Sequence, residues 1–249
     1  MQLKINLISM KSFLNKIIRR EKFNPTLLGL FINHNFNIRR LLYRCLKSNS
    51  QLLSGKVLDF GCGSKPYEHL FTKAEQYIGV DYQIEGRIEN LDKIDFFYDG
   101  KSIPFEDNSF DAILCTEVLE HVFNIEEILA EFKRILKPGG KALITTPFMW
   151  EEHEMPHDFA RYTGPALSHL YQKNGFEIIS NIKLGNTIYV IFQFCLNYLK
   201  NIFPESRLFR QILLIPFSFF LNSLGLILGL ILPKDQGSYF NNVFILNKK

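Results

Sequence analysis

The spacing of apolar residues changes along the chain between two patterns, one typical of strands and one typical of helices. The run from Phe110 to Cys115 is almost continuously apolar, which predicts a strand buried on both faces. Residues 125–136 instead place apolar side chains three and four positions apart, which predicts an amphipathic helix. Similar arguments predict strands at 57–59, 77–81, 142–146, 176–180 and 239–246, and a helix at 164–174. This alternation predicts an α/β fold built on a largely parallel sheet.

The N-terminal segment is basic and amphipathic. Residues 1–23 place Leu3, Leu7 and Leu14 on one helical face, with lysines and arginines around them. Two interpretations stay open: a helix lying on an anionic membrane surface, or a helix that covers the binding site or packs on the domain. Residues 25–47 repeat the apolar pattern with a break in the middle, so two helices are predicted before the first strand.

A glycine turn follows the first predicted strand, within the stretch Gly55–Tyr67. Gly61 and Gly63 allow a tight turn with close approach of the backbone to a ligand. Ser64 is suited to cap a helix and Pro66 to stand in its first turn. We therefore predict a strand, a turn and a helix, a junction at which open α/β sheets bind ligands.

Two carboxylates indicate what this junction binds. A dinucleotide fingerprint requires a third glycine, and this chain has Pro66 there. Asp59 precedes Gly61 by two residues, and a carboxylate at that point suits a cationic or hydroxyl-rich ligand better than phosphate. Asp81 ends the next predicted strand, where an acidic side chain can accept hydrogen bonds from both ribose hydroxyls. The pattern predicts a nucleoside site without a pyrophosphate.

Four sequence blocks follow one another at characteristic spacing. They are Asp-Phe-Gly-Cys-Gly (59–63), Ile-Gly-Val-Asp-Tyr (78–82), Phe-Asp-Ala-Ile-Leu-Cys-Thr-Glu-Val-Leu-Glu-His (110–121) and Leu-Lys-Pro-Gly-Gly-Lys-Ala-Leu-Ile-Thr-Thr-Pro (136–147). Together they resemble the class I S-adenosylmethionine-dependent methyltransferases over residues 56–184. The resemblance implies a Rossmann-like seven-stranded sheet with helices on both faces, and S-adenosylmethionine as cofactor.

The resemblance also implies roles for single positions. Asp59, Gly61 and Gly63 are expected to hold the amino-acid end of the cofactor. Asp81 is expected to bind the ribose and Asp99 the adenine edge. The other cofactor-binding positions are Cys62, Tyr82, Thr116 and Glu117, the last two beside the methionine moiety.

Polar residues after two of the strands are the candidates for catalysis. His121 is a candidate base because its unperturbed pKa lies near neutral pH, or it orders its own loop. The stretch 150–163 adds His157 and Asp158 as acid–base candidates. The same stretch provides Arg161 and Tyr162 as substrate-binding candidates. An alternative for Asp158 is an ion pair with Arg161 that only shapes the loop.

The main departure from a minimal domain is an apolar insertion at 185–236, between the sixth and last predicted strands. We divide the chain into an N-terminal segment, 1–50, and a methyltransferase domain, 51–249, that contains this insertion. The run from Gln211 to Leu232 has no charged residue and is long enough to cross a bilayer. A single crossing would leave the last strand on the wrong side of the membrane. We therefore predict an apolar hairpin dipped into one leaflet, or a soluble cap or dimer interface.

Composition adds few constraints. The chain has 249 residues, of which 47% are hydrophobic and 22% charged, as in a folded globular protein. The net charge of +4 and the absence of an interleaved basic–aromatic patch predict no nucleic-acid partner. Four separated cysteines and no signal-peptide pattern predict a cytoplasmic protein, associated with the cytoplasmic face of a membrane if residues 1–23 and 185–232 bind lipid. His153 and His157 flank Pro156, which disfavours a helix, so no metal site is predicted.

These expectations combine into one function. We predict a methyltransferase that uses S-adenosylmethionine and acts on a small or lipid- or glycan-linked acceptor, through oxygen, in cell-surface polysaccharide or lipid biosynthesis. Two alternatives stay open: an NAD-dependent oxidoreductase or epimerase, and a non-catalytic membrane-associated adaptor with the same fold.

Overall fold

The computed structural model describes residues 16–82, 91–204 and 206–249. The chain divides into two compact units. The helical unit comprises the residues up to Arg44 together with Gly185–Tyr239, and the sheet unit comprises Cys45–Leu184 and Phe240–Lys249. The N-terminal segment and the insertion, which the sequence presents as two separate additions, thus share one unit.

The helices predicted at 125–136 and 164–174 are confirmed, whereas the described residues before the first strand form three helices instead of the predicted two, since the chain breaks near Pro25 and again at Asn33. The helices are α1 (16–23), α2 (Gly29–Ile32), α3 (Phe36–Asn49), α4 (Ile125–Ile135), α5 (Gly164–Lys173), α6 (Thr187–Ile202) and α7 (Arg207–Ile231). The remainder of the predicted basic helix, residues 1–15, lies outside the described residues.

Seven strands form one sheet. They are β1 (Gly55–Phe60), β2 (Ala74–Tyr82), β3 (Phe96–Tyr98), β4 (Phe110–Thr116), β5 (Leu136–Pro147), β6 (Phe176–Leu184) and β7 (Asn241–Lys248). Their order is β3-β2-β1-β4-β5-β7-β6, with β7 antiparallel to both of its neighbours and the other pairs parallel. This arrangement, with helices on both sides, confirms the predicted Rossmann-like fold and the return of the chain to the sheet after the insertion.

Helix α4 shows how the apolar pattern becomes a core. Its residues Ile128, Leu129 and Phe132 are fully buried, and the Phe132 ring meets the Phe60 ring of β1 edge-on at 5.1 Å. The charged face of the helix carries Arg134, whose guanidinium donates to the carbonyl oxygens of the loop before β4. Burial and polar anchoring together fix the position of β4, and with it the loop that follows this strand.

One local prediction is wrong. The stretch after Pro66 does not form a regular helix but a single 3-10 turn at Glu68–Leu70. Strand β2 already begins at Ala74, so the connection is too short for a longer helix. Lys65 has a positive φ of 50°, which also interrupts a helix that would begin at Ser64.

Inside the helical unit, helices α6 and α7 lie close together. A Cβ added at Gly225 would approach Phe192 to 3.0 Å, and one at Gly229 would approach the Tyr189 ring to 2.7 Å. Both glycines therefore allow the two helices to approach closely. The Asn186 side chain, which precedes α6, donates to the Gly229 carbonyl oxygen at 3.0 Å and ties the start of α6 to the end of α7.

Helix α7 carries polar residues on its buried face. The Asn222 amide donates to the Asn33 carbonyl oxygen at 3.1 Å, and the Asn37 amide donates to the Asn222 carbonyl oxygen at 3.0 Å. Asn222 and Ser218 are each 1% exposed. These bonds fix α7 against the N-terminal segment within the helical unit, because buried amides are costly unless they are paired.

Candidate functional site

The candidate site lies where neighbouring parallel strands end. Strands β3, β2, β1 and β4 lie side by side and run in the same direction, so their carboxyl ends share one edge of the sheet. The predicted cofactor residues come from the ends of these four strands and from the loops that follow them. Residues from distant parts of the sequence therefore meet at this edge, which is where open α/β sheets bind ligands.

Asp59 is buried near the end of β1, with 3% of its surface exposed. Burial raises the pKa of Asp59 to about 7, although the Tyr77 hydroxyl opposes this shift by donating a 2.7 Å hydrogen bond to Oδ2. A carboxyl with this pKa gains or loses its charge in the physiological range. Tyr77 was not predicted from the sequence, because its contact with Asp59 depends on the pairing of β1 with β2.

The glycine turn after β1 is closely packed. Gly61 has a φ of 72° and Gly63 a φ of 51°, and a Cβ at Gly61 would overlap the Val118 side chain. The Gly63 N–H donates to Asp81 Oδ2 at 2.9 Å. The structure thus joins the glycine turn to the acidic end of β2 and to the loop after β4, three elements that the sequence assigned to one site.

Around Asp81, carboxylate and aromatic groups lie together. Asp81 also accepts the Tyr82 N–H at 2.8 Å, and the Tyr82 ring is half-exposed with its centroid 6.4 Å from that of Tyr98. A Cβ at Gly100 would lie 3.3 Å from the Tyr82 ring. Tyr82 therefore lies beside the turn that follows β3 and provides an apolar surface at the predicted nucleoside site.

Asp99 is the first residue of the turn after β3. Its Oδ1 accepts the N–H groups of Lys101 at 2.8 Å and Ser102 at 3.1 Å. These backbone donors hold the pKa of Asp99 below its usual range, so the carboxylate is charged at neutral pH. The side chain is exposed, and its predicted contact with the adenine stays a prediction.

Thr116 ends β4 and Glu117 follows with a positive φ of 55°. The Glu117 carboxylate accepts the Thr145 hydroxyl at 2.6 Å and the Asn241 amide at 2.6 Å. Both donors lie on other strands and are fully buried. Sequence reasoning missed these two anchors, because nothing in the local sequence pairs them with Glu117.

Two further groups complete the glycine turn. Burial raises the pKa of the Cys62 thiol, so this residue stays protonated and packs as a small apolar side chain. Lys65 forms an ion pair with Asp95, whose carboxylate also accepts the Gly79 N–H at 2.7 Å. The Lys65–Asp95 pair fixes the far side of the turn and was not predicted.

The polar loop after β5 is organised by Arg161. Its guanidinium donates to both carboxylate oxygens of Asp158 at 2.6 Å and to the Glu151 carbonyl oxygen at 2.8 Å. The Asp158 side chain is 1% exposed, and the adjacent Arg161 lowers the pKa of Asp158 to about 2. A carboxylate held in this way is a weak base, so the geometry favours the loop-shaping interpretation of this pair.

The two remaining histidine candidates meet through the backbone. His121 Nδ1 lies 2.6 Å from the His157 carbonyl oxygen, which can only accept, so Nδ1 carries the proton. The His121 Nε2 lone pair is thereby left available. The His157 ring is exposed, and its centroid lies 6.3 Å from that of Phe159.

The substrate-binding candidate Tyr162 is half-buried, and its carbonyl oxygen accepts the Asn242 amide at 3.0 Å. The predicted roles of His121, His157 and Tyr162 stay predictions.

Comparison with known proteins places this chain in a family. A family model described as a methyltransferase domain matches residues 33–181. The phosphoethanolamine N-methyltransferase 2 of Haemonchus contortus, solved in complex with S-adenosyl-L-methionine, superposes with a TM-score of 0.55 at 18% identity, covering 93% of this chain and 60% of that one. The chain belongs to the class I S-adenosylmethionine-dependent methyltransferase family, as the four sequence blocks predicted.

Two curated relatives have related names. The phthiotriol/phenolphthiotriol dimycocerosates methyltransferase 1 of Mycobacterium ulcerans is 29% identical over 152 residues, or 57% of this chain and 55% of that protein. The ubiquinone biosynthesis O-methyltransferase of Thiobacillus denitrificans is 26% identical over 177 residues, or 58% of this chain and 73% of that protein. The chain thus spans little more than half the length of the first of these relatives.

We expect the Asp158–Arg161 pair to contribute measurably to stability. Asp158→Asn keeps the shape of the side chain but leaves a largely buried guanidinium without its counter-charge, and should lower the free energy of unfolding by about 2–4 kcal/mol. Chemical denaturation at neutral pH would measure the loss. The matched control is Asp107→Asn, because Asp107 pairs with Arg134 but is 70% exposed and should cost less than about 1 kcal/mol. Equal losses at the two sites would contradict the structural role of Asp158.

Proposed function

We propose that this protein transfers a methyl group from S-adenosylmethionine to a hydroxyl oxygen of a small or lipid-linked acceptor. The observation that carries the proposal is the joining of Asp59, the glycine turn and Asp81 at one edge of the sheet, in a chain of this family. Such an edge suits a ligand that has a cationic end and ribose hydroxyls.

The residues at the edge fit the cofactor. A Cβ at Gly61 would overlap Val118, so the close-packed turn depends on glycine. Asp59 and the turn residues Gly61–Gly63 would hold the amino-acid end, Asp81 with Tyr82 the ribose, and Asp99 the adenine. Thr116 and Glu117 would border the methionine moiety. The cofactor supplies a methyl group already activated on a sulfonium, so the protein mainly has to align the acceptor with it.

Two features support an oxygen acceptor. The loop after β5 places polar side chains beside His121, whose Nε2 has no hydrogen-bond partner among the described residues. This atom can remove the proton that a hydroxyl must lose when its oxygen is methylated. The relatives include one named an O-methyltransferase and one named for dimycocerosates, which supports an oxygen atom and a lipid-like acceptor.

The two alternative functions make different predictions about binding. Two observations count against an NAD-dependent enzyme: the third glycine of the dinucleotide motif is missing, and the chain matches a methyltransferase family. A non-catalytic adaptor would keep the fold without binding the cofactor. Direct titration separates all three.

We expect S-adenosylmethionine and S-adenosylhomocysteine to bind the purified protein with micromolar affinity, and NAD not to bind. Asp81→Asn should weaken cofactor binding at least about tenfold, because a charged hydrogen bond to a ribose hydroxyl is lost. Isothermal calorimetry measures both. Asp92→Asn is the control, since Asp92 is an exposed acidic residue after the described end of β2. A well-folded protein that binds neither S-adenosylmethionine nor S-adenosylhomocysteine would contradict the proposal. Binding of NAD instead would favour the oxidoreductase.

The affinity for S-adenosylmethionine should depend on pH through Asp59. Since the pKa of Asp59 is about 7, the carboxyl binds a proton more tightly than a free aspartate does, and a cationic ligand end must displace this proton. Affinity should therefore fall toward about tenfold per pH unit well below pH 7, as linkage of one proton requires, and should fall again above about pH 8, where the α-amino group of the ligand loses its own proton. Asp59→Asn should remove the acid-side slope in calorimetric titrations between about pH 5 and 7.5, and an acid-side slope that persists in the variant would exclude Asp59 as its source.

We further propose that α7 docks into one leaflet of a membrane, where lipid-linked acceptors are found. Within the described residues, one helical segment, Phe209–Ile231, is long and apolar enough to span a bilayer. Its most apolar stretch has a mean hydropathy of 2.1, and 28% of that stretch is buried. Its large outward apolar residues include Phe209, Ile212, Phe220, Ile227, Leu230 and Ile231. Because the insertion joins β6 to β7 of one sheet, both ends must lie on one side, which favours a leaflet-deep hairpin over a single span.

Vesicle binding tests this part of the proposal. The full chain should co-sediment with liposomes that contain anionic lipid, and Ile227→Asp should reduce the bound fraction at least about tenfold, because a charge is costly in the acyl region. Ile179→Asp is the matched control, since Ile179 on β6 is 56% exposed and Ile227 is 54% exposed. Equal binding by both variants would instead favour a soluble cap or a dimer interface.

A further inference from the structure

Three side chains converge beside the loop that follows β4. The carboxylate of Glu120 and the rings of His121 and His153 each offer one ligand atom, and these atoms all lie within 4.8 Å of one another. His121 Nε2 is 3.8 Å from Glu120 Oε1, and the two imidazole rings meet edge-on with centroids 4.9 Å apart. Ligands of a single ion that lie about 2.0–2.2 Å from it are separated by roughly 3–4 Å, so small side-chain adjustments bring all three onto one centre.

Glu120 is the unusual member of this cluster. The residue is fully buried, and neither carboxyl oxygen has a hydrogen-bond partner within the described part of the chain. An unpartnered buried carboxyl is costly, and native structures avoid it unless something else satisfies the group. The Glu120 oxygens lie beside the His121 ring, where a cation would satisfy them.

Neighbouring groups constrain the tautomers of the two rings. The His121 Nδ1–H donates to the His157 carbonyl oxygen, which leaves Nε2 to face Glu120. His153 Nδ1 lies 3.2 Å from Asp158 Oδ2 and also 3.2 Å from Arg161 Nη2, which can only donate, so Nδ1 accepts from the guanidinium in this structure. An ion on Nε2 would require the other tautomer, in which Nδ1–H donates to Asp158 Oδ2. Metal-binding histidines typically donate their second N–H to a carbonyl or carboxylate in this way. In the metal-bound tautomer, Asp158 would thus have a further use as the acceptor for the His153 Nδ1–H.

We propose that Glu120, His121 and His153 bind one divalent transition-metal ion. Two imidazoles and one carboxylate suit zinc, manganese or iron and leave coordination positions open. Glu154 Oε2, at 3.9 Å from His121 Nε2 and exposed, can approach as a further ligand or give way to water. The sequence analysis considered His153 and His157 together as possible metal ligands and predicted no site. The structure instead brings His153 beside His121.

The open positions suggest a role, which rests on the proposed function. Val118 packs on the glycine turn, and the cluster begins two residues later at Glu120. A hydroxyl bound to the ion becomes a stronger acid and releases its proton to water. Its oxygen then forms the bond to the methyl carbon as the carbon–sulfur bond breaks. The ion would take over the activation otherwise assigned to His121, and the site would select acceptors with a free hydroxyl.

Cobalt titration tests the site without any turnover. The full chain, freed of metal by a chelator, should bind one Co²⁺ with visible d–d absorption, and excess Zn²⁺ should abolish that absorption. His153→Gln and Glu120→Gln should each weaken binding at least about tenfold. His169→Gln is the matched control, because His169 is an exposed histidine on α5 outside the cluster, and it should bind as the unchanged protein does.

Three results would overturn the proposal: far less than one Co²⁺ bound per chain, unchanged affinity in His153→Gln, or an equal loss in His169→Gln. Circular dichroism and denaturation of each variant separate loss of the ligand from loss of the fold. His153 is partly exposed, so its variant should fold even if the Glu120 variant does not. Calorimetry with S-adenosylmethionine on the same metal-free sample is independent. Metal binding without cofactor binding would contradict only the proposed function. Cofactor binding without metal binding would contradict only the metal site.

Discussion

Parallel strands that lie side by side must end at the same edge, and the whole candidate site depends on this constraint. Asp59 and Asp81 lie on β1 and β2, and Glu117 directly follows β4; these three strands are separated in sequence and adjacent in the sheet. None of these residues needs a long loop to reach the others. The core beneath this edge, with α4 packed on β1, keeps the strand ends in place, so that short turns can present carboxylates at fixed positions.

The parts of the site that the sequence predicted are those with a local pattern. Asp59 and Asp81 end apolar runs, and the glycines between them mark a turn. Asp158 and Arg161 are near neighbours in the chain, so their pair was foreseen as one of two interpretations. The helix after Pro66 was predicted wrongly, because residue preferences do not reveal how soon β2 must begin.

What the sequence missed requires knowledge of which strands meet. Thr145 and Asn241 hold the Glu117 carboxylate from two other strands, and Asn241 follows it by 124 residues. His121 meets His153 only because the loops after β4 and β5 lie together. In the helical unit, the apolar run of α7 was evident, but not the Asn222 amide that binds Asn33. Each missed contact is a polar pair at long sequence separation, where periodicity carries no information.

The position of β7 has a consequence for how the molecule is made. This strand lies between β5 and β6, yet both of them precede it in the chain, with α6 and α7 in between. While the ribosome is still synthesising the insertion, β6 has no partner and one side of β5 is bare. A growing chain thus presents an apolar helix and open strand edges together, the combination that favours aggregation. Early sequestration of α7, by the N-terminal segment or by a lipid surface, would protect the nascent chain until β7 closes the sheet.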